Sequence, residues 1–124
     1  MVQKTIYTLL LLSIFIACKK NETTAPVVAI YAPVENDSFY VADSFNINFN
    51  IKDAHLQSYK VIISNKLTGR IYINEEGETN STDFTYNQKK HMEVLADTSV
   101  FMSVLGIDAS GNTGGKNVTF KIKL

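Results

Sequence analysis

Between Ser44 and Ile51 the chain alternates without a break. Phe45, Ile47, Phe49 and Ile51 fall on one side, and Asn46, Asn48 and Asn50 on the other. Successive side chains of a strand point to opposite faces, so a period of two with one apolar side is a half-buried β-strand. A helix would spread the same residues around its whole circumference. A strand with one wet face belongs to an antiparallel sheet that packs its other face on something apolar. The rest of the chain must therefore supply a second layer.

It supplies one from similar pieces. Pro26 to Pro33 reads as a short strand bracketed by prolines, which suits a sheet edge. Glu35 to Ser38 reads as a turn. Leu56 to Ser64 is a strand, Asn65 to Gly69 a hairpin loop with Gly69 free to take positive φ, and Arg70 to Asn74 the returning strand. The acidic run Glu75 to Thr82 reads as a loop. Asp83 to Tyr86 and Met92 to Leu95 are short strand candidates, with the choice of partner for Phe45–Ile51 left open between them. Ser99 to Ile107 is apolar on both faces, as a central strand should be. Lys116 to Leu124 alternates again through Val118, Phe120, Ile122 and Leu124. Seven or eight short strands with turn signals between them, and no helical period after residue 18, predict an all-β, antiparallel β-sandwich. Phe45, Phe49, Tyr59, Val61, Val104 and Phe120 are its expected core. Trp is absent and Cys18 is the sole cysteine, so no disulfide can form within one molecule and apolar packing must join the sheets.

The first residues have a different character. Lys4 precedes an apolar run from Ile6 to Ala17, broken only by Thr8 and Ser13. That run is about 12 residues, short of the roughly 20 that a membrane-spanning helix needs. Its length and flanks favour a cleaved export signal. It ends Phe15-Ile16-Ala17-Cys18, which resembles the lipobox of bacterial lipoproteins, although Phe15 and Ile16 depart from the usual residues. The resemblance implies cleavage before Cys18, acylation of Cys18, and attachment to a membrane through that lipid. The expected organisation is a signal peptide over 1–17, a lipidated cysteine and short tether over 18–25, and one domain over 26–124. The charged segment Lys19 to Glu22 partly resembles the export signals of Bacteroidetes surface lipoproteins. Roughly a hundred residues remain after cleavage, enough for one small domain.

The last third carries a further resemblance. Val104 to Thr113 contains a strand followed by D-x-x-G-N (Asp108, Gly111, Asn112), and Phe45 to Asp53 has the matching second-strand pattern. Together with the prolines at 26 and 33, this is similar to small immunoglobulin-like and fibronectin-type-III-like lipoproteins of Bacteroidetes. The resemblance spans roughly Pro26 to Leu124. It implies an immunoglobulin-like sandwich in the cell envelope, lipid-anchored to the outer membrane on its periplasmic or surface face, and it is nearly silent on activity. Asp108 and Asn112 also have a purely structural reading, as side chains that cap a turn while Gly111 takes the left-handed conformation.

Chemistry is sparse. Lys+Arg and Asp+Glu number 12 each, so no basic surface points to nucleic acid. His55 and His91 are the only histidines and lack zinc-site spacing. No G-x-S-x-G elbow is present and a domain this small offers little cleft for paired carboxylates, so the expectation is a non-enzyme with no cofactor. In a sandwich the loops at one end would gather Asp53, Glu75, Glu76, Glu78, Asp108 and Asn112, a candidate calcium site, though no D-x-D-x-D-G spacing exists. Tyr31, Tyr40, Tyr72 and Tyr86 are candidate contacts for a sugar or peptide, and Lys89, Lys90 and His91 form a small basic loop. The expected function is a membrane-anchored interaction module, an accessory or scaffold subunit for an envelope protein. The alternative is a surface glycan- or host-binding lipoprotein, with a calcium-dependent adhesion domain a third class.

Overall fold

The computed structural model describes residues 23–124, so the signal segment, Cys18 and the start of the tether lie outside the described residues. Eight strands follow in chain order: β1 (Val27–Ala32), β2 (Ser38–Tyr40), β3 (Phe45–Lys52), β4 (Leu56–Asn65), β5 (Ile71–Glu78), β6 (Asp83–Lys90), β7 (Thr98–Asp108) and β8 (Thr113–Lys123). They form a three-stranded sheet in the order β1-β3-β6 and a five-stranded sheet in the order β2-β8-β7-β4-β5. This is the expected all-β sandwich.

The alternating strand sits where its pattern requires. β3 is the centre of the small sheet, with Phe45, Ile47, Phe49 and Ile51 turned inward and essentially inaccessible. Each such burial contributes about 2 kcal/mol, an upper figure because the unfolded chain already hides some of this surface. The opposing sheet answers with Val61 and Ile63 of β4, Val100, Met102 and Val104 of β7, and Phe120 and Ile122 of β8. Rings interlock in two groups, each with members from both sheets. Phe39, Phe45 and Phe120 lie 5.2–5.8 Å apart between centroids. Phe49 stacks on Tyr86 at 4.8 Å and Tyr59 on Phe84 at 4.6 Å. Of the expected core, all are buried except Tyr59, which is half-buried at the rim.

Several elements differ from the sequence reading, each for an identifiable reason. The acidic run does not loop out at Glu75, because β4 continues as a template and pairs β5 through Glu75, Glu76 and Glu78. β5 is the sheet edge, where outward charges are tolerated and discourage further strand addition. Met92 to Leu95 is not a strand. The segment crosses from one sheet to the other, so its backbone has no ladder to join, yet Met92 and Val94 turn into the core. Its rival prevails: β6 pairs along all of β3, from Phe45↔Lys90 to Lys52↔Asp83. The sandwich is not wholly antiparallel either. The three-residue β2 runs parallel to β8, too short to register as a pattern, and carries Phe39 onto Phe45 and Phe120.

The ladders also fix two ends. At the near end the chain enters at Pro26, beside the C-termini of β3, β5 and β7. The far end gathers the loops after β1, β4 and β6, together with the last residues of β8. Pro26 is buried between the sheets, and its carbonyl oxygen lies where a Cβ on Gly114 would be, 1.8 Å away. Gly106 pairs with Gly114 across the ladder and clears space for Ile51 and the Pro26 ring. Gly114→Ala is therefore expected to cost about 1–3 kcal/mol of stability through forced displacement of β1. Urea unfolding will measure it. Gly115→Ala serves as a milder comparison, because its Cβ meets the movable tip of Leu105 at 2.6 Å and backbone only at the Val104 carbonyl oxygen, 3.1 Å away.

Candidate functional site

Three places in this frame hold polar or exposed side chains in organised groups. The first is the near-end turn between β7 and β8. Asp108 is fully buried, and one of its oxygens accepts hydrogen bonds from the Ser110 amide at 2.9 Å and the Asn112 amide at 2.8 Å. The other accepts from Asn112 Nδ2 at 2.9 Å. Gly111 takes φ 86°, as the turn requires. Burial pushes the Asp108 carboxyl up, but the Asn112 side chain and the amides of Asn112, Ser110 and Gly111 outweigh it and hold the group below its ordinary value. Asp53 does similar work, accepting from the His55 amide at 2.8 Å.

The calcium candidates are not brought together. Asp53, Asp108 and Asn112 do share the near end, but Glu75 and Glu76 stand on β5 rather than in its loop. The hollow between these loops, about 340 Å³, is lined by Ala54 to Gln57, Thr79 to Thr82 and Ala109, with no carboxylate. Among the described residues no three His, Cys, Asp or Glu side chains form a group that could hold a metal ion. The expected acidic cluster fails because strand pairing and turn capping claim its members first.

The second place is the seam where the edges β5 and β6 face each other. Glu75 points inward and accepts hydrogen bonds from both the Tyr86 hydroxyl and the Lys90 ammonium. Lys90 is only 19% exposed, so the expected basic loop Lys89–His91 is split: Lys90 turns into the seam and Lys89 stays outside. Tyr86 is not a ligand contact, being 3% exposed with its ring stacked on Phe49. The Lys90 hydrogen bond, then that of Tyr86, holds Glu75 below its ordinary 4.5. Burial, then the Glu75 carboxylate, pushes the Tyr86 hydroxyl up. This group clasps the two sheets.

The third place is the far end. Asn65 caps the β4–β5 hairpin by accepting from the amides of Leu67 and Thr68, and Gly69 takes φ 75°. Tyr72 is half-buried there, bonded to Asn65 at 3.3 Å with the Arg70 guanidinium 5.5 Å over its ring. Beside it lies a hollow of about 340 Å³ lined by Asn65, Arg70, Tyr72, Leu95 and Thr98, among others. A second hollow of about 390 Å³ shares Asn65 and Thr98 and reaches Leu67. Leu67 and Leu95 are 93% and 94% exposed. Tyr40 is exposed at the same end, and Tyr31 is exposed on β1. Neither leucine was singled out from the sequence; a lone Leu inside a polar turn was the available signal.

No protein-family model matches the chain, and no curated protein matches it. Solved structures share the fold. The fibronectin(III)-like modules of Clostridium thermocellum CbhA superpose with a TM-score of 0.51 at 16% identity, covering 78% of this chain and 96% of that one. OgpA from Akkermansia muciniphila gives 0.55 at 19%, covering 80% of this chain but 28% of its own length. The superoxide reductase (neelaredoxin) of Ignicoccus hospitalis gives 0.50 at 10%, with 81% of each chain covered. The domain is thus a fibronectin(III)-like β-sandwich of the immunoglobulin type. At these identities the likeness is one of fold alone, and function must be argued from surfaces.

The seam predicts an acid limb. Glu75's folded pKa lies below its unfolded value, so the stability it adds is present above about pH 4.5 and is lost as pH falls through the folded value. Glu75→Gln removes that contribution and leaves the Lys90 charge unanswered. Thermal melts from pH 7 to pH 3 should show the variant less stable near neutrality, with a shallower decline towards acid than the wild type.

Proposed function

We propose that this chain is a non-enzymatic interaction module of the bacterial cell envelope, tethered through lipid on Cys18 and presenting its far end to a protein partner as an accessory or scaffold subunit. One observation carries the reading. Of the nine exposed large apolar side chains among the described residues, six belong to far-end loops and strand ends: Val34, Tyr40, Leu67, Ile71, Leu95 and Leu124. Only Val27 lies at the near end, where the tether joins. Nearly bare leucines on two adjoining loops, beside shared hollows, are the kind of anchors that a partner's pockets desolvate.

The geometry of the tether favours the same arrangement. Residues 18–25 keep the near end close to the membrane, whereas β7, with 11 residues, carries the far end about 35 Å away. The near-end turn carboxylates are already committed to backbone amides, which leaves that end little to offer a ligand. The Bacteroidetes origin and outer-membrane address belong to this proposal and rest on the lipobox-like Phe15–Cys18, the charged segment Lys19–Glu22 and the resemblance over Pro26–Leu124.

The test is in-cell cross-linking of the full-length protein followed by mass spectrometry. A dominant membrane protein should be captured by the wild type and lost, by at least about tenfold, from a Leu67→Asp/Leu95→Asp double variant that melts normally. Equal capture by the double variant would place the interface elsewhere, and capture of nothing above background would remove the module reading. Cys18→Ala should move the protein to the soluble fraction; persistence in the membrane would refute the tether.

A further inference from the structure

The two sheets end in the edges β1, β6, β2 and β5, and all but one are guarded. β5 carries Glu75, Glu76 and Glu78. β1 is bracketed by Pro26 and Pro33 and slips register between Ile30 and Ala32, and β2 has only three residues. Prolines, bulges, charges and shortness are the devices that keep a sheet from adding another strand. β6 has none of them along its middle. Its eight residues pair with β3 from end to end without a register shift, and Thr85, Asn87, Gln88 and Lys89 are exposed.

The hydrogen bonds at the start of β6 show which of its backbone groups face away from β3. The Asp53 amide donates to the Thr82 carbonyl at 3.1 Å, whereas the amide and carbonyl of the next residue, Asp83, both engage the Ser81 hydroxyl. Residues of an antiparallel ladder alternate in this respect. With the register unbroken, Thr85, Asn87 and Lys89 therefore also aim their amides and carbonyls outward, and among the described residues no backbone group bonds to them there. The side chains of Asp83, Thr85, Asn87 and Lys89 share the outer face, since Phe84 and Tyr86 turn to the core. Opposite charges thus stand at the two ends of one open edge. Lys89 makes no ion pair among the described residues, and Asp83 has only a long, solvent-exposed one, with Lys52 at 3.9 Å.

We propose that β6 is the pairing edge for a second copy of this chain, in an antiparallel register that sets Asp83 opposite Lys89 of the second copy, Thr85 opposite its Asn87, and Tyr86 opposite Tyr86 on the two-fold axis. Thr85 and Asn87 then exchange both amide hydrogen bonds across the join, and the Lys89 of each copy gains an acid. The half-buried Phe84 gains cover from the exposed Gln88 of the second copy. Sliding the register by two residues either way loses the Asp83–Lys89 pairs, and parallel strands in register would set like charge on like. The same patch serves on both copies, so the assembly closes as a pair and does not grow into a fibre. Its axis stands perpendicular to the sheet, so a pair lying with its sheets along a membrane holds both Pro26 residues at one height and lets both copies be tethered to one bilayer. The far-end leucines stay uncovered, so the pairing extends beyond the module reading and does not depend on it.

The test measures the mass of the full-length protein in detergent by light scattering, with the detergent subtracted, from low to high micromolar concentration. The wild type should be a dimer at the top of that range, and the Leu67→Asp/Leu95→Asp variant should match it. Asp83→Lys and Lys89→Asp each set like charges face to face, and each should weaken pairing at least tenfold. Lys89→Asp has no ion pair of its own to lose, which separates this effect from a folding defect. Mixed in equal amounts, the two variants complement each other at both ends of the join and should pair as the wild type does. Asn87→Pro removes an outward amide and leaves the β3 ladder intact, so it should give a folded monomer. A wild type that stays monomeric throughout, pairing that is lost with Leu67 and Leu95, pairing that survives Lys89→Asp, or a mixture that fails to recover it would each overturn the proposal.

Discussion

Everything in this domain rests on rings packed within and between its two sheets with no covalent help. Cys18, the sole cysteine, precedes the domain, so the two sheets are joined by side chains alone. Phe49 stacks on Tyr86, Tyr59 on Phe84, and the Phe39, Phe45 and Phe120 trio fills the other half of the interior. Aromatic residues give the largest buried area per side chain, which is how a small domain without a disulfide reaches marginal stability. The Glu75, Tyr86 and Lys90 clasp depends on that packing, because stacking on Phe49 is what holds the Tyr86 hydroxyl at the seam.

That arrangement explains which parts of the fold were legible in the sequence. β3 was readable because solvent on one face and core on the other imprint a period of two. The Asp108–Asn112 turn was readable because capping needs those residues at those positions. β5 was underestimated because an edge strand accepts charges that look like a loop, and β2 was missed because three residues carry no period. The buried loop residues Met92 and Val94 imitate a strand, since alternate burial can come from a crossing segment as well as from a ladder. For the sites, composition suggested acids and tyrosines, but pairing decided their fate. Glu75 went to a lysine, Tyr86 to the core, and Asp108 to backbone amides. The far-end leucines were invisible, because exposure is a property of the fold and not of the residue.

The far end offers apolar anchors on loops, where sequence can change without disturbing the ladders. At the near end, by contrast, polar side chains are spent on closing turns.

The close approach of Pro26 to Gly114 also has a mechanical meaning. The chain enters the domain through Pro26 at the start of β1, and β1 lies antiparallel along β3 from Val27↔Lys52 to Ala32↔Asn48. A pull on the leading segment, resisted at the far end, runs along the strand axis. It loads the rungs between β1 and β3 together, in shear, and does not peel them one at a time. With Pro26 lodged between the sheets at the point where such a force would enter, the domain resists a pull on that end along the whole length of β1.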